Sequence, residues 1–207
     1  MPRPRNFNES SVLEAAGDMF WAKGYEATST RDLVKCTGLS QPSLYNAFGD
    51  KRGLFRRALE HYLDRTMRER ITRLEASLSP AHAISAFLAE IVDRSVCDVH
   101  QRGCMLVNSA LEVSAEDEDL RQAIDQELTL MRSFFHRCLL AAEKNGEITL
   151  TLDAQAVATN LLAIQLGVRV MARVNPDRAS LTAAVAPVLA MLGLPPLPMP
   201  PAPKGPG

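Results

Sequence analysis

The segment Ser29–Lys51, STRDLVKCTGLSQPSLYNAFGDK, restricts the fold of this chain more than any other stretch. Ser29 is a good N-cap residue, and Asp32 lies three residues later, where a carboxylate completes a capping box. A helix is therefore predicted to begin at Thr30. Gly38, which adopts a positive φ without strain, is predicted to end it.

A second short helix is predicted directly after a turn at Gly38–Ser40. Ser40 caps this helix, and Pro42 falls in its first turn, where a missing N–H costs nothing. Leu44 and Phe48 are predicted to face inward, and the opposite face carries hydrogen-bonding side chains: Gln41, Ser43, Tyr45 and Asn46. Gly49-Asp50 then ends one helix and caps another. Two short helices joined by a tight turn predict a helix-turn-helix, whose second helix reads a DNA groove.

The spaced positions extend beyond this pair of helices. They comprise Gly24-Tyr25, Ser29–Asp32, Gly38-Leu39-Ser40, Leu44-Tyr45, Phe48, Lys51-Arg52 and Leu54-Phe55. This pattern resembles the TetR family of bacterial one-component regulators over about the first 60 residues. Cys36 stands where the family commonly has a small apolar residue, which a buried thiol can replace. The resemblance implies a homodimer that binds a palindromic operator in double-stranded DNA and responds to a small-molecule effector.

The DNA contacts are predicted from side-chain chemistry and from position in this pattern. Tyr45 is predicted to contact a phosphate through its hydroxyl. Lys51 is predicted to contact a phosphate because it lies beside the unpaired N–H groups at the start of a helix. Contacts with base edges are assigned to Gln41, Ser43 and Asn46, and further contacts with the DNA backbone to Thr28 and Arg31. The large aromatic residues nearby, Trp21 and Tyr25, are expected to pack rather than to stack on bases.

The charge distribution agrees with DNA binding at the N-terminal end. Residues 1–57 carry nine Lys and Arg against six Asp and Glu, a surplus of +3. The net charge of the chain is −1, so the remainder carries −4. Because +3 is modest, binding must depend on placed contacts and on a second copy rather than on a strong basic field.

An all-α fold is predicted for the whole chain, in four parts. Residues 1–8 form a basic arm, which either touches DNA through Arg3 and Arg5 or frays in solvent. Residues 9–50 form the helix-turn-helix domain, and residues 51–192 form a helical ligand-binding and dimerisation domain. Residues 193–207 hold seven prolines and are expected to be extended and disordered.

The second domain is predicted to contain several helices of its own. They run from Lys51 to about Leu78, from Pro80 to about Val99, from a cap at Ser114 to Asn145-Gly146, from Ala154 to about Arg173 and from Ser180 to about Leu192. The acidic run Glu116–Asp119 is assigned to a helix N-terminus, which carboxylates stabilise, rather than to a metal site.

The family resemblance places a ligand cavity among the helices between Lys51 and Asn145. Candidate lining residues are mostly apolar with a few polar groups: Phe87, Ile91, Met105, Asn108, Phe134 and Gln165. Periodicity cannot separate the wall of a cavity from ordinary core, so core packing stays an alternative for the apolar members.

The helix predicted at Ala154–Arg173 is apolar on more than one face, and one chain can cover only one of them. Leu162, Leu166 and Val170 line its second face, and Val185 and Leu189 lie on the following charge-poor helix. These five residues are predicted to form a four-helix interface between two identical chains.

Cysteine usage predicts neither a disulfide framework nor a metal site. The four cysteines form no Cys-x-x-Cys pair and have no histidine at zinc-ligand spacing, so a reducing cytoplasm is expected. Cys104 follows Gly103 near a predicted helix start with His100 and Arg102 close by. A redox or electrophile sensor at Cys104, with Cys97 as resolving thiol, is therefore an alternative to simple packing.

No catalytic motif, phosphate-binding loop or cofactor motif occurs in the sequence, so neither an enzyme nor a cofactor is expected. No membrane span is expected, because the longest uncharged run, residues 154–168, is too short. Two function classes stay open: a DNA-binding regulator, and a helical small-molecule-binding protein or enzyme whose first helices only resemble a helix-turn-helix.

Overall fold

All regular structure in the described part of the chain is helical. The computed structural model describes residues 7–114 and 116–198. The helices are α1 (Glu9–Lys23), α2 (Thr30–Thr37), α3 (Gln41–Phe48), α4 (Lys51–Leu63), α5 (Glu69–Ser77), α6 (Pro80–Val96), α7 (Met105–Glu112), α8 (Glu118–Lys144), α9 (Ala154–Val174) and α10 (Arg178–Met191). The predicted all-α class is confirmed.

Helices α4 and α5 are joined by a π-helical segment at Asp64–Arg68, so helical structure runs without a break from Lys51 to Ser77. The sequence predicted a single uniform helix from Lys51 to about Leu78, and the π segment was missed. Met67 is buried within this segment. A π turn inserts an extra residue into the helical repeat, which changes the face that the following residues present.

The chain divides into two compact units that differ from the predicted domains. The first unit comprises residues up to Glu69 together with Cys104–Glu127, and the second comprises Arg70–Gly103 and the residues from Leu128 onward. The predicted boundary at residues 50 and 51 does not coincide with this division, and the predicted domain bounds stay a prediction. Helix α4 packs on α1 and α3, and α7 packs on α4, so both belong with the helix-turn-helix.

The core of the first unit is built on aromatic residues from α1 and α4. Phe20 and Phe55 meet edge to face with ring centroids 5.0 Å apart. Tyr25 packs on Phe55 at 4.9 Å and Trp21 on Tyr62 at 5.3 Å, which confirms that these two large residues pack. Such aromatic pairs are worth about 1 kcal/mol each beyond their buried area.

The core of the second unit is formed where α6, α9 and α10 pack on one another. Helix α6 and helix α8 contribute three fully buried rings, with Phe87 5.1 Å from Phe134 and 5.4 Å from Phe135. Helix α9, with 21 residues, has the length and hydropathy of a membrane span, although the sequence prediction judged its uncharged run too short for one. Its most apolar stretch is 44% buried inside the structure, and the helix packs on α6 and α10.

Two helix starts differ from the sequence prediction because aspartate residues cap them. Helix α8 begins at Glu118 rather than after Ser114, since Asp117 Oδ1 accepts the N–H of Leu120 at 3.0 Å. Helix α10 begins at Arg178 because Asp177 Oδ2 accepts the N–H of Ser180 at 2.8 Å.

Both predicted flexible ends are anchored where the structure describes them. Phe7 packs on Phe48 with centroids 6.3 Å apart, and Asn8 caps α1, so these residues do not belong to a free arm. Leu194 is buried, and the carbonyl of Pro195 accepts the Ser85 hydroxyl at 2.6 Å, which corrects the disordered tail at its start. Arg3, Arg5 and residues 199–207 lie outside the described residues.

Candidate nucleic-acid interface

The first helix of the pair, α2, has the predicted capping box. Ser29 Oγ accepts the N–H of Asp32 at 3.2 Å, and Asp32 Oδ2 accepts the N–H of Ser29 at 3.0 Å. Lys23 Nζ donates to Asp32 Oδ1 at 2.8 Å. This bond and the bonds from Ser29 hold the pKa of Asp32 well below its usual range. The helix ends at Gly38 in the left-handed conformation.

The second helix, α3, buries one face and exposes the other. Ser40 Oγ accepts the N–H of Ser43 at 3.4 Å, with Pro42 in the first turn. Leu44 is fully buried and Phe48 nearly so. Three predicted base contacts are exposed together on the opposite face: Gln41, Ser43 and Asn46. This is the arrangement of a recognition helix, with an apolar side for packing and a polar side for a groove.

Tyr45 is half-buried at the junction of the two helices. Its hydroxyl shares a hydrogen bond of 2.7 Å with the hydroxyl of Thr30 on α2. A hydroxyl has one donor and two acceptor sites, so this bond leaves Tyr45 able to interact with a further group. The contact fixes the tyrosine ring at the edge of the polar face of α3.

Lys51 is held at the first residue of α4, which Asp50 caps through the N–H of Gly53 at 2.7 Å. Its Nζ donates to the carbonyl of Glu26 at 3.3 Å and lies 4.5 Å from the ring centroid of Tyr25. An ammonium group at the start of a helix, among free N–H groups, is a suitable phosphate-binding arrangement.

The predicted role of the Thr28 side chain is wrong. Thr28 is 0% exposed, and its hydroxyl donates to the carbonyl of Gly24 at 2.6 Å, so it stabilises the loop before α2. Arg31, the other predicted backbone contact, is exposed on α2.

Sequence reasoning missed contacts that join α7 and the start of α8 to this surface. Glu112 Oε2 accepts the N–H of Tyr25 at 2.7 Å. Arg52 Nη2 pairs with Asp117 and lies 3.1 Å from Asp119 Oδ2. These partners are 65 or more residues apart in the chain, and no local pattern indicates such a contact.

The predicted ligand-lining residues are divided between the two units. Met105 is buried and Asn108 half-buried in the first unit, whereas Phe87, Ile91, Phe134 and Gln165 are buried in the second. Gln165 is 2% exposed, and within residues 7–114 and 116–198 no group donates a hydrogen bond to its Oε1. A groove of about 290 Å³ in the second unit has other lining residues, among them Leu78, Pro80 and Cys138.

The predicted dimer residues do not share one exposed face. Leu162, Val185 and Leu189 are 7%, 0% and 1% exposed, and their helices α9 and α10 pack on each other and on α6. Their prediction as interface contacts is therefore corrected. Leu166 is half-buried, and Val170 is 47% exposed.

The cysteines are free thiols in different surroundings. Cys97 is exposed just after α6, and Cys104 is half-buried at the N-cap of α7, where the Tyr62 hydroxyl lies 4.0 Å from its Sγ. Cys138 is buried, and burial raises its thiol pKa to about 12. Within residues 7–114 and 116–198, no three His, Cys, Asp or Glu side chains are grouped to hold a metal ion.

Two protein-family models match the chain. The model described as bacterial regulatory proteins, tetR family, matches residues 12–58. The model described as tetracyclin repressor-like, C-terminal domain, matches residues 80–188.

Two of the relatives match more than four fifths of this chain. The HTH-type transcriptional repressor ComR of Escherichia coli is 30% identical over 172 residues, which cover 83% of this chain and 82% of ComR. The uncharacterized HTH-type transcriptional regulator YezE of Bacillus subtilis is 32% identical over 178 residues, which cover 86% of this chain and 92% of YezE.

A solved structure of similar fold contains DNA. It is a cysteine-substituted mutant of the TetR family transcriptional regulator CifR, complexed with 26-bp double-strand operator DNA. The match has a TM-score of 0.81 and 33% identity, and it covers 92% of this chain and 99% of CifR.

Proposed function

The chain belongs to the TetR family of bacterial helix-turn-helix transcriptional regulators, and from this premise we propose that it is a homodimeric cytoplasmic repressor that a small molecule releases from a palindromic operator. The observation that carries this proposal is the capped helix α3, which buries Leu44 and Phe48 and exposes three hydrogen-bonding side chains. The operator complex of CifR supports the same use of this domain.

The proposed DNA-binding surface consists of α3 and of residues on the neighbouring helices α2 and α4. Gln41, Ser43 and Asn46 are exposed and suited to base edges, since amide and hydroxyl groups match the donors and acceptors of the major groove. Tyr45 and Lys51 lie beside them and are suited to phosphates, which fix the register of the helix without reading sequence. Arg31 extends the phosphate contacts along α2.

Dimerisation is assigned to exposed stripes on α9 and α10. On α9, exposed or half-buried positions recur at alternating intervals of four and three residues: Ala156, Asn160, Ala163, Gly167, Val170 and Val174. On α10 the same spacing gives four exposed alanines: Ala179, Ala183, Ala186 and Ala190. Small side chains at a heptad spacing allow helices of two chains to approach closely. These stripes replace the buried residues of the sequence prediction.

The effector site is proposed in the second unit, around its buried aromatic rings. Phe87, Ile91 and Phe134 supply apolar surface, and Gln165 supplies a polar group in the same core. Its Oε1 has no donor among the residues that the structure describes, and a buried acceptor is stabilised by a ligand that donates a hydrogen bond. Met105 and Asn108 of α7 belong to the first unit and are not part of this proposed site, so their ligand contacts stay a prediction from the sequence.

Release from DNA would follow if the effector favours a conformation in which the two recognition helices no longer match two half-sites. Two helical elements connect the units along the chain: the run Lys51–Ser77 and helix α8. Movement of either would change the spacing between the recognition helices of a dimer. The effector shifts this equilibrium only by its difference in affinity between the two conformations.

The proposal is tested with a palindrome that the full-length protein selects from random DNA. Gln41→Ala should weaken binding and relax the base preference at one position in each half-site, by about 1–3 kcal/mol. Tyr45→Ala should weaken binding to all sequences alike. Gln122→Ala, which removes an exposed glutamine from α8, is the matched control and should bind as the wild type does. The proposed interface would be refuted if the Gln41→Ala variant and the Tyr45→Ala variant each bound the palindrome as tightly as the wild type does.

A redox or electrophile signal through Cys104 is a second candidate. It is favoured by the position of Cys104 beside the Tyr62 hydroxyl at the first turn of α7, in the unit that contains the helix-turn-helix. Modification of Cys104 would disturb the packing of α7 on α4. Cys104→Ser should then abolish DNA release by an electrophile such as N-ethylmaleimide, whereas release that persists in this variant would refute the sensor role.

A further inference from the structure

Glu112, the last residue of α7, is bonded to the loop that leads into the helix-turn-helix. Its Oε2 accepts the N–H of Tyr25 at 2.7 Å, across 87 residues of sequence. Gly24 makes this approach possible: a Cβ there would lie 2.6 Å from Glu112 Oε1, and its φ is +85°. The α1–α2 loop is therefore fixed to α7 by a charge-assisted hydrogen bond, which is stronger than a bond between neutral groups.

The ring of Tyr25 connects this bond to Lys51. Lys51 Nζ lies 4.5 Å from the ring centroid, and it donates to the carbonyl of Glu26, the residue after Tyr25. These two contacts of the ammonium group come from the segment that Glu112 restrains. A shift of this segment would move Lys51 Nζ away from its position at the start of α4.

An open groove with a volume of about 40 Å³ lies between the loop and α7, lined by Tyr25, Phe55, Val113 and Leu120 among other residues. Side-chain packing between the loop and α7 is therefore incomplete at this point, where dispersion contacts are lost. The Tyr25 ring packs on Phe55 of α4, and the hydrogen bond of Glu112 adds a restraint that ties the backbone of the loop to α7.

We propose that Glu112 is a positioning residue of the DNA-binding surface, which holds Tyr25 and thereby places Lys51 for contact with a DNA phosphate. This inference rests on the proposed phosphate contact of Lys51. It assigns to α7 an influence on DNA affinity that is exerted through the α1–α2 loop.

The sign of the effect separates this role from simple electrostatics. Glu112→Ala removes a negative charge from the DNA-binding unit, which by itself strengthens attraction to DNA. The positioning role predicts the opposite result, with operator binding about tenfold weaker. Glu116→Ala is the matched control, since it removes an exposed carboxylate from the turn before α8. This control is expected to bind DNA as tightly as the wild type or more tightly.

The salt dependence of binding identifies the contact that is lost. For Glu112→Ala, the slope of log K against log [salt] should become shallower by about one for each protomer, as for Lys51→Ala. In the Lys51→Ala background, Glu112→Ala should cause no further loss, because the two residues act on one contact. Glu112→Gln keeps an acceptor oxygen and should retain the wild-type slope; all variants are measured as full chains with unchanged melting temperature.

Three results would overturn the proposal, and they are distinguishable. If Lys51→Ala leaves the salt slope unchanged, the phosphate contact of Lys51 is refuted together with this inference. If Lys51→Ala lowers the slope and Glu112→Ala does not, only the positioning role is refuted. A Glu112→Gln variant that loses the slope as Glu112→Ala does would show that the acceptor oxygen is not the operative group.

Discussion

Substitution of Val170 and Val174 by serine should dissociate the proposed dimer. Val170 is 47% and Val174 83% exposed, and both lie on the α9 stripe. Full burial of a valine is worth about 1.5 kcal/mol, so covering these exposed fractions would contribute about 2 kcal/mol per protomer. A two-fold interface uses each patch twice, which gives about 4 kcal/mol per dimer. The dissociation constant of the double variant should therefore rise about a thousandfold.

Sedimentation velocity over a range of protein concentrations measures this change directly. Val99→Ser is the matched control, because Val99 is 86% exposed in the loop after α6, outside both stripes. The control should dimerise as the wild type does, and the double variant should lose operator affinity together with dimerisation. A double variant that dimerises normally would refute the assignment of the interface to this stripe of α9.

Three further predictions concern stability and thiol reactivity. The hydrogen bond from Lys23 depresses the pKa of Asp32 in the folded protein. The ionised carboxylate therefore stabilises the fold at pH values above its unfolded-state pKa, and this contribution is lost as the pH falls from there through the folded-state pKa. Urea unfolding below about pH 4 should accordingly depend less on pH in Asp32→Asn. Gly24→Ala should lower the free energy of unfolding by about 2 kcal/mol in urea titrations, since its φ is +85° and a carboxylate oxygen occupies the space of a Cβ. Mass spectrometry after N-ethylmaleimide treatment at pH 8 should find Cys97 labelled and Cys138 unlabelled until the protein unfolds, since burial raises the Cys138 pKa to about 12.

The DNA-binding helices were predictable because their signals are local. The Ser29–Asp32 capping box, the left-handed Gly38 and the Ser40 cap all act within four residues, and each is present in the structure. Alternation of apolar and polar residues also gave the buried and exposed faces of α3. Thr28 was misassigned because its partner, the carbonyl of Gly24, is a backbone group that residue type does not indicate.

The errors in the rest of the chain have one physical origin: periodicity shows which residues are apolar, not which neighbour covers them. Leu162, Val185 and Leu189 were assigned to a second chain, whereas packing within the second unit buries them. The exposed α10 stripe consists of alanines, which carry little hydrophobic signal. Glu112 was missed for a related reason, since its bond to Tyr25 joins residues 87 apart.

We propose that a dimer holds two recognition helices at the separation of two half-sites of one operator. Inserting about five base pairs, half a helical turn, between the half-sites of the selected palindrome tests this proposal. Fluorescence anisotropy with the full-length protein should then find affinity reduced to that of an isolated half-site. Equal affinity for the original and the lengthened palindrome would contradict the account.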